Sequence, residues 1–195
     1  LDRIPETSQI IPMSKSINPT PQKDNFRSNI ISENTVDHSA SNNVMTILGH
    51  DFKFIQNLSP ERNGAGNIKI FFPQQEYQNI NHLPLNTHGN GGFCRFFVSC
   101  EHVPGVYLWI MDNEIIYIGE ASDLKKRFNQ GYGNISPRNC FVGGQSTNCK
   151  MNKVVLKHSS EGKIIQIYFC PTDHHKELEL KLLRSIRARY NAKDN

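Results

Sequence analysis

Four side chains in the second half of the chain combine residue types that suit phosphate chemistry. Two are phenols, one is a guanidinium and one is a carboxylate: Tyr107, Tyr117, Arg127 and Glu179. A guanidinium is a permanent positive charge whose fork of donors matches phosphate oxygens. A carboxylate oxygen is a ligand that a hard divalent cation prefers. The combination indicates a site that cleaves phosphodiester bonds.

A predicted β-hairpin positions the two phenols. Apolar and aromatic residues alternate over 106–110, and a second apolar run covers 115–118. An Asp-Asn pair at 112–113 separates the two runs, so the pattern favours two strands joined by a tight turn. Neighbouring strands would bring Tyr107 and Tyr117 to one pocket.

Two predicted helices position the guanidinium and the carboxylate. Ser122 or Asp123 is a capping residue that starts a short helix carrying Arg127. The segment 176–186 is rich in strong helix formers, and its apolar positions recur at intervals of three and four. Glu179 lies at the edge of that apolar stripe, where a metal-binding acid belongs.

The segment from 105 to 191 resembles the GIY-YIG nuclease family. Gly105-Val106-Tyr107 stands for the first signature, and Tyr117-Ile118-Gly119 is the second. Arg127 lies eight positions after the glycine of the second signature, as the family arginine does. The tail 179–191 matches the family pattern of a glutamate followed by an asparagine. Four signatures in the same order make the resemblance specific.

The resemblance implies an α/β (α+β) fold in which a small, mainly antiparallel sheet is flanked by helices. It implies that Glu179 holds one divalent cation, Mg²⁺ with Mn²⁺ as a substitute, and that Arg127 binds phosphate. Tyr107 would orient or deprotonate the attacking water with Tyr117 assisting, and Asn191 would help hold the site together. A free phenol has a pKa of about 10, so a base at this position needs a lowered pKa, which Arg127 and the cation would supply.

Two positions depart from the family pattern. The family places a His or Tyr four residues after the arginine, but this chain has Gly131 there, followed by Tyr132. We expect Tyr132 to fill the role after a shift of one residue. Glu120 stands where several relatives carry Lys. It is either a solvent-exposed strand end, which we favour, or an additional neighbour of the metal.

The insertion 131–152 is predicted to contact DNA, because it is rich in glycine and amide side chains and is longer than a simple connection. Arg pairs well with guanine, and Asn or Gln with adenine. The alternative is a surface loop whose amides satisfy its own turns. The predicted DNA contacts come from this insertion and the helix before it: Lys125, Lys126, Arg138, Asn139, Gln145, Asn148, Lys150 and Asn152.

Positive charge accompanies the candidate site. Residues 105–195 hold 14 Lys and Arg against 9 Asp and Glu, whereas residues 1–104 hold 8 against 9. A basic half suits a polyanionic partner such as double-stranded DNA. The chain contains no run of about 18 apolar residues, so we expect no membrane association and a soluble, cytoplasmic protein.

Composition divides the chain into three predicted segments. Residues 1–43 are dominated by small polar residues and predict a flexible polar arm. Residues 44–104 predict an accessory β-rich segment that packs on the core, with strands at 67–72 and 93–98. Residues 105–195 form the predicted nuclease domain.

The five cysteines raise a zinc alternative. They lack any C-x-x-C pair, so we expect buried free thiols and not a metal site. These cysteines are Cys94, Cys100, Cys140, Cys149 and Cys170.

The functional expectation is a metal-dependent DNA endonuclease, in the first instance a site-specific restriction enzyme. A repair or mobile-element nuclease is the second reading, since both use the same catalytic module. The third is a DNA-binding module that keeps the fold without turnover. Because one site of this type cuts one strand at a time, a restriction role predicts a homodimer on DNA.

Overall fold

The structure, a computed structural model, describes residues 43–191. Its centre is an antiparallel sheet with the strand order β1-β2-β5-β3-β4. The predicted fold class, a mainly antiparallel sheet flanked by helices, is confirmed. The strands are β1 (Val44–Ile47), β2 (His50–Asn57), β3 (Gly105–Met111), β4 (Glu114–Ala121) and β5 (Gln166–Pro171).

Three α-helices accompany the sheet in the described residues. A single turn of π-helix, Phe128–Tyr132, follows the first helix directly. Short 3-10 turns occur at Pro73–Glu76 and Pro137–Cys140. The helices are α1 (Leu124–Arg127), α2 (Ser146–Ser160) and α3 (His175–Ser185). None of the helices in residues 43–191 has the length and apolar character needed to cross a membrane.

The predicted hairpin of β3 and β4 is confirmed. Met111 pairs with Glu114, and the two residues between them, Asp112 and Asn113, both have positive φ. Two successive positive φ values are the signature of a type I′ turn, whose twist matches that of the flanking strands. Asp and Asn tolerate this conformation better than most residues.

Strand β3 is buried on both faces of the sheet. Tyr107 and Trp109 belong to the core on one face, while Val106 and Leu108 belong to the core on the other. This follows from the two-residue repeat of a strand, which sends successive side chains to opposite faces.

Each face of the sheet is covered by one long helix. On the first face α2 contributes Met151 and Val155, and on the second α3 contributes Leu178 and Leu182. Helix α3 agrees with the predicted helical segment 176–186 to within one residue at each end.

Part of the segment predicted to pack on the core belongs to the sheet of that core. Strands β1 and β2 extend the sheet itself, because β2 pairs with β5. The strands predicted at 67–72 and 93–98 are absent, and these residues form only isolated bridges such as Phe71 with Phe93.

Side-chain amides take the place of a neighbouring strand along 93–98. The Asn152 amide accepts from Cys94 N–H at 3.0 Å and donates to Cys94 O at 2.8 Å. The Asn129 amide bonds both backbone groups of Val98 in the same way. The segment therefore satisfies its backbone without ladder pairing.

The insertion predicted as a loop is partly helical. Residues 146–152 form the first turns of α2, and their amide and thiol side chains face the core. Four of the five cysteines are buried free thiols and Cys100 is half-buried. The predicted arm 1–43 lies outside the described residues except for Asn43.

Candidate active site

Three buried tyrosines meet on the first face of the sheet. Tyr132 Oη lies 2.8 Å from Tyr107 Oη and 3.2 Å from Tyr117 Oη, so its hydroxyl links the other two. We call Tyr107, Tyr117 and Tyr132 the phenol cluster. Tyr117 is the member with 7% exposure, whereas the other two are fully buried.

The strands and the turn after them explain how the phenol cluster forms. Tyr107 on β3 stands opposite Gly119 on β4, and Tyr117 lies two residues earlier on the same strand. The wide turn 128–132 carries Tyr132 toward the sheet, where its ring packs edge-on against Tyr107. The structure thus brings together both tyrosines of the hairpin and the tyrosine expected to stand beside them.

Arg127 joins the phenol cluster from the end of α1. Asp123 starts this helix, as one of the two predicted capping positions, and its carboxylate accepts from Lys126 N–H. Arg127 Nε donates to Tyr107 Oη at 3.1 Å, and its Nη1 donates to Asn148 Oδ1 at 3.1 Å. The guanidinium carbon also lies 4.4 Å from the centre of the Tyr132 ring, a cation–π distance.

The expected lowering of the Tyr107 pKa is not produced by these residues. Burial raises the pKa of the Tyr107 phenol, and this effect outweighs the opposing influence of Arg127. Burial likewise raises the pKa of Tyr132 well above its ordinary value. Both hydroxyls are therefore neutral at physiological pH.

Glu179 lies on α3, which packs against the second face of the sheet. Its carboxylate is half-buried, and the nearby backbone N–H of Glu120 acts to lower its pKa. Burial raises the pKa of Glu179, repulsion from Glu120 adds to that effect, and Arg127 opposes it. Glu179 is thus within electrostatic range of the guanidinium that contacts the phenol cluster.

The environment of Glu120 differs from the solvent-exposed strand end that we favour from the sequence. Glu120 is half-buried, not a solvent-exposed strand end, and its Oε2 lies 2.7 Å from His175 Nδ1. The contact has the distance of an ion pair without hydrogen-bond alignment, since Nδ1 has no hydrogen-bond partner. The two-residue repeat of a strand could have predicted this environment, because it places Glu120 on the same face as Ile118, and Ile118 packs toward α3.

Asn191 fixes the backbone of β4 between the two signature residues of that strand. Its Oδ1 accepts from Ile118 N–H at 2.8 Å, and its Nδ2 donates to Ile118 O at 2.7 Å. Ile118 lies between Tyr117 and Gly119. Asn191 is therefore connected to the site through the backbone of β4, and within residues 43–191 its side chain has no hydrogen bond to the phenol cluster.

Six of the eight predicted DNA contacts reach the surface at least in part. Lys126 and Gln145 are exposed, and the remaining four are half-buried: Lys125, Arg138, Asn139 and Lys150. These residues are placed where a ligand can reach them.

The other two predicted DNA contacts are buried in the structure. Asn152 is fully buried, and its amide bonds the backbone of Cys94 and Tyr132. Asn148 exposes 1% of its surface, and its amide bonds Arg127 and Gln145. Neither amide can read a base without breaking the contacts that hold it.

Residues 103–191 match the family model described as the GIY-YIG catalytic domain. The match covers a little under half of the chain and supports the family for this segment. It contains all the residues of the candidate site and indicates a nuclease that acts on DNA. Neither the curated proteins nor the solved structures include one that matches the chain.

Proposed function

On the premise that residues 103–191 form a GIY-YIG nuclease domain, we propose that the protein is a Mg²⁺-dependent, site-specific DNA endonuclease of the restriction type. One observation carries the proposal: consecutive residues of β4 contact both halves of the site. Gly119 pairs with Tyr107 of the phenol cluster, and Glu120 lies close enough to Glu179 for both its backbone N–H and its carboxylate to affect the pKa of Glu179. A phosphate at this point would have a cationic group and a metal-binding group on its two sides.

The donor set around Glu179 fits a magnesium ion. Mg²⁺ keeps several waters and is commonly bound by one or two carboxylates together with substrate phosphate. The half-buried carboxylate of Glu179 provides such a ligand, and residues 43–191 contain no cluster of three ligating side chains that would suit a more fully protein-bound metal. When bound, the cation would supply charge stabilisation for the reacting phosphate.

Arg127 and Tyr107 divide the remaining tasks. Arg127 neutralises phosphate charge, because its guanidinium is permanently positive and is already oriented by two hydrogen bonds. We assign to Tyr107 the orientation of the attacking water, for which its fully buried hydroxyl must first be uncovered. It does not carry a resting phenolate, since burial raises its pKa. Tyr117 and Tyr132 keep the Tyr107 hydroxyl in place through the hydrogen bonds they share.

The surface of the insertion supports site specificity. Arg138, Asn139 and Gln145 carry side chains that can make bidentate contacts with bases, and all three reach the surface at least in part. They lie on the segment that ends at Asn148, one hydrogen bond from Arg127. Recognition and cleavage would thus be performed by adjacent parts of one chain.

The catalytic proposal is tested with supercoiled plasmid. The wild-type protein with Mg²⁺ or Mn²⁺ should convert the plasmid to nicked and linear forms, and Glu179→Gln should not. Glu177→Gln is the matched control, because Glu177 lies on the same helix with 83% of its side chain exposed. Equal nicking by wild type and Glu179→Gln, or no nicking at high enzyme concentration, would contradict the proposal.

The nature of the products separates a restriction enzyme from other nucleases of the same fold. Discrete fragments with one common end sequence would support restriction, whereas cuts confined to lesions, branches or one insertion site would assign repair or mobile-element activity. DNA binding without cleavage by the wild type would assign a binding module.

A restriction enzyme of this design needs two active sites for a double-strand break. We propose that two protomers pair on DNA, each cutting one strand. Gel filtration with a duplex that carries the mapped site should give a complex of two protein chains. A single protomer that makes concerted breaks in both strands would contradict the pairing.

A further inference from the structure

We propose that Asn148 is a positioning residue that fixes the orientation of Arg127, and that Gln145 supports the orientation of the Asn148 amide in which its oxygen faces Arg127. This inference rests on the proposed function for its catalytic consequence. Its structural content, a guanidinium held by a buried amide, does not depend on that function.

The Asn148 side chain is fully committed to protein contacts. It is 1% exposed, its Oδ1 accepts from Arg127 Nη1 at 3.1 Å, and its Nδ2 donates to Gln145 Oε1 at 2.7 Å. A buried amide whose acceptor and donor are both used holds its partners more rigidly than a solvated side chain can.

Two contacts leave one part of the guanidinium for a ligand. Arg127 Nε is bound to Tyr107 and its Nη1 to Asn148, while Nη2 has no hydrogen-bond partner among residues 43–191. A fork held on two sides presents its third nitrogen in a fixed direction. Without Asn148, rotation about the terminal bonds of Arg127 would spread that direction over several orientations.

Arg127 and Gln145 together favour one orientation of the Asn148 amide. The oxygen and nitrogen of Asn148 are nearly equal in size, but only the oxygen can accept from Arg127 Nη1. Because Gln145 Oε1 accepts from Asn148 Nδ2, a flipped amide would place its nitrogen against the donor Arg127 Nη1 and its oxygen against the acceptor Gln145 Oε1. Gln145 is exposed, so the chain Gln145–Asn148–Arg127 connects the surface of the insertion with the phenol cluster.

Gly131 leaves room for this arrangement. A Cβ atom at residue 131 would lie 3.4 Å from Asn148 Nδ2 and 3.6 Å from its Oδ1. The Asn148 amide therefore occupies the space into which a larger side chain at residue 131 would point. The absence of a side chain at residue 131 thus allows the amide of Asn148 on α2 to lie beside it.

A double-mutant cycle tests whether Asn148 acts through Arg127. Single-turnover cleavage of a duplex by Asn148→Ala should be about 10- to 100-fold slower than by the wild type, because small misplacements of catalytic groups have effects of this size. In an Arg127→Lys background, where the fork is gone, Asn148→Ala should add less than about a twofold loss. Equal losses in both backgrounds would mean independent roles and would overturn the proposal.

Asn148→Asp is a second variant that tests the role of Asn148 if Asn148→Ala fails to fold. Asp keeps the size of the side chain and the acceptor for Arg127, but it neutralises the guanidinium. We expect the rate at saturating DNA to fall less than in Asn148→Ala, while the DNA concentration for half-maximal rate rises. Asn134→Ala, at an exposed amide of the same insertion, is the control and should leave both quantities unchanged.

A measurement independent of cleavage separates this inference from the proposed function. The Nε–H signal of Arg127 in a ¹⁵N–¹H NMR spectrum, identified by its loss in Arg127→Lys, should be sharp in the wild type and in Asn148→Asp. It should broaden in Asn148→Ala and to a smaller extent in Gln145→Ala. If the wild type does not cut DNA but these signals behave as stated, the proposed function fails and the positioning role stands. An Nε–H signal that is unchanged in Asn148→Ala would overturn the positioning role.

Discussion

The Cβ atom that Gly119 lacks would lie 2.4 Å from Tyr107 Oη and 2.5 Å from its Cζ. Tyr107 is fully buried and bonded to Arg127 and Tyr132, so the ring has no free direction in which to move. A glycine is therefore required at residue 119 by the ring opposite it.

Gly119→Ala should destabilise the fold and abolish cleavage. Overpacking of a filled core costs about 1–3 kcal/mol, and here the displaced group belongs to the site. Urea denaturation and plasmid nicking measure the two effects. Gly64→Ala is the control, because no atom lies within 4 Å of the added methyl group there. Wild-type nicking by Gly119→Ala would show that the position of the Tyr107 hydroxyl does not matter.

Tyr132→Phe should remove the hydroxyl that links Tyr107 and Tyr117 while keeping the ring that packs beneath Arg127. We expect cleavage to fall about 10-fold or more and stability to fall by about 1 kcal/mol, the size of a buried hydrogen bond. Kinetics and thermal denaturation report the two quantities. Tyr168→Phe, in a half-buried tyrosine on β5, should change neither by a comparable amount.

Asn191→Asp tests the two hydrogen bonds between the Asn191 side chain and the backbone of Ile118, which we call the Asn191 clamp. A carboxylate can still accept from Ile118 N–H, but it cannot donate to Ile118 O and would repel that carbonyl. We expect a loss of about 1–3 kcal/mol in the free energy of unfolding, with reduced cleavage because Tyr117 precedes the clamped residue. If Asn191→Asp and wild type have equal unfolding free energies, the Asn191 clamp does not contribute to the stability of the fold.

Glu120→Gln should shift the pH dependence of cleavage. Burial and then Glu120 raise the pKa of Glu179, so the carboxylate proposed to bind the metal loses its charge at a higher pH than an ordinary glutamate does. Removal of the Glu120 charge lowers the Glu179 pKa and should move the acid limb of the rate profile to lower pH. Glu114→Gln, on the same strand, should leave the limb in place. An acid limb unmoved in Glu120→Gln would contradict the assignment of that limb to Glu179.

Glu179→Gln should stabilise the folded protein at neutral pH while it inactivates the enzyme. The pKa of Glu179 is raised in the folded state, so its contribution to stability is present below the unfolded pKa and is lost as the pH rises through the folded value. At pH 7 the variant should gain less than about 1 kcal/mol, since the group is half exposed. Below the ordinary carboxyl range the two proteins should converge. A variant that melts lower at pH 7 would contradict this sign.

Local sequence patterns were sufficient for the elements that carry the site. The alternation around Tyr107, the Asp-Asn turn at 112–113, the cap at Asp123 and the helix of Glu179 are all short-range features, and all were predicted. Each of these features depends on interactions between residues that are close in sequence. Their assembly into one site followed from the order of the four signatures.

The misses involve partners that are distant in sequence. Asn152 looks like a surface amide until Cys94, 58 positions earlier, is placed against it. The runs at 67–72 and 93–98 alternate as strands do, but the amides of Asn129 and Asn152 bond the backbone of the second run in place of a neighbouring strand. The direction of the Tyr107 pKa shift likewise depended on complete burial, which no local pattern measures.

The strand order β1-β2-β5-β3-β4 determines how much of the chain must be synthesised before the sheet can close. The two hairpins β1-β2 and β3-β4 meet only through β5, which follows both of them along the chain, and Asn191 follows later still. A nascent chain that has emerged only as far as α2 has the three tyrosines and Arg127 but lacks the central strand and the helix that carries Glu179. The candidate site is therefore complete only after residues 166–191 have been released and have closed the sheet.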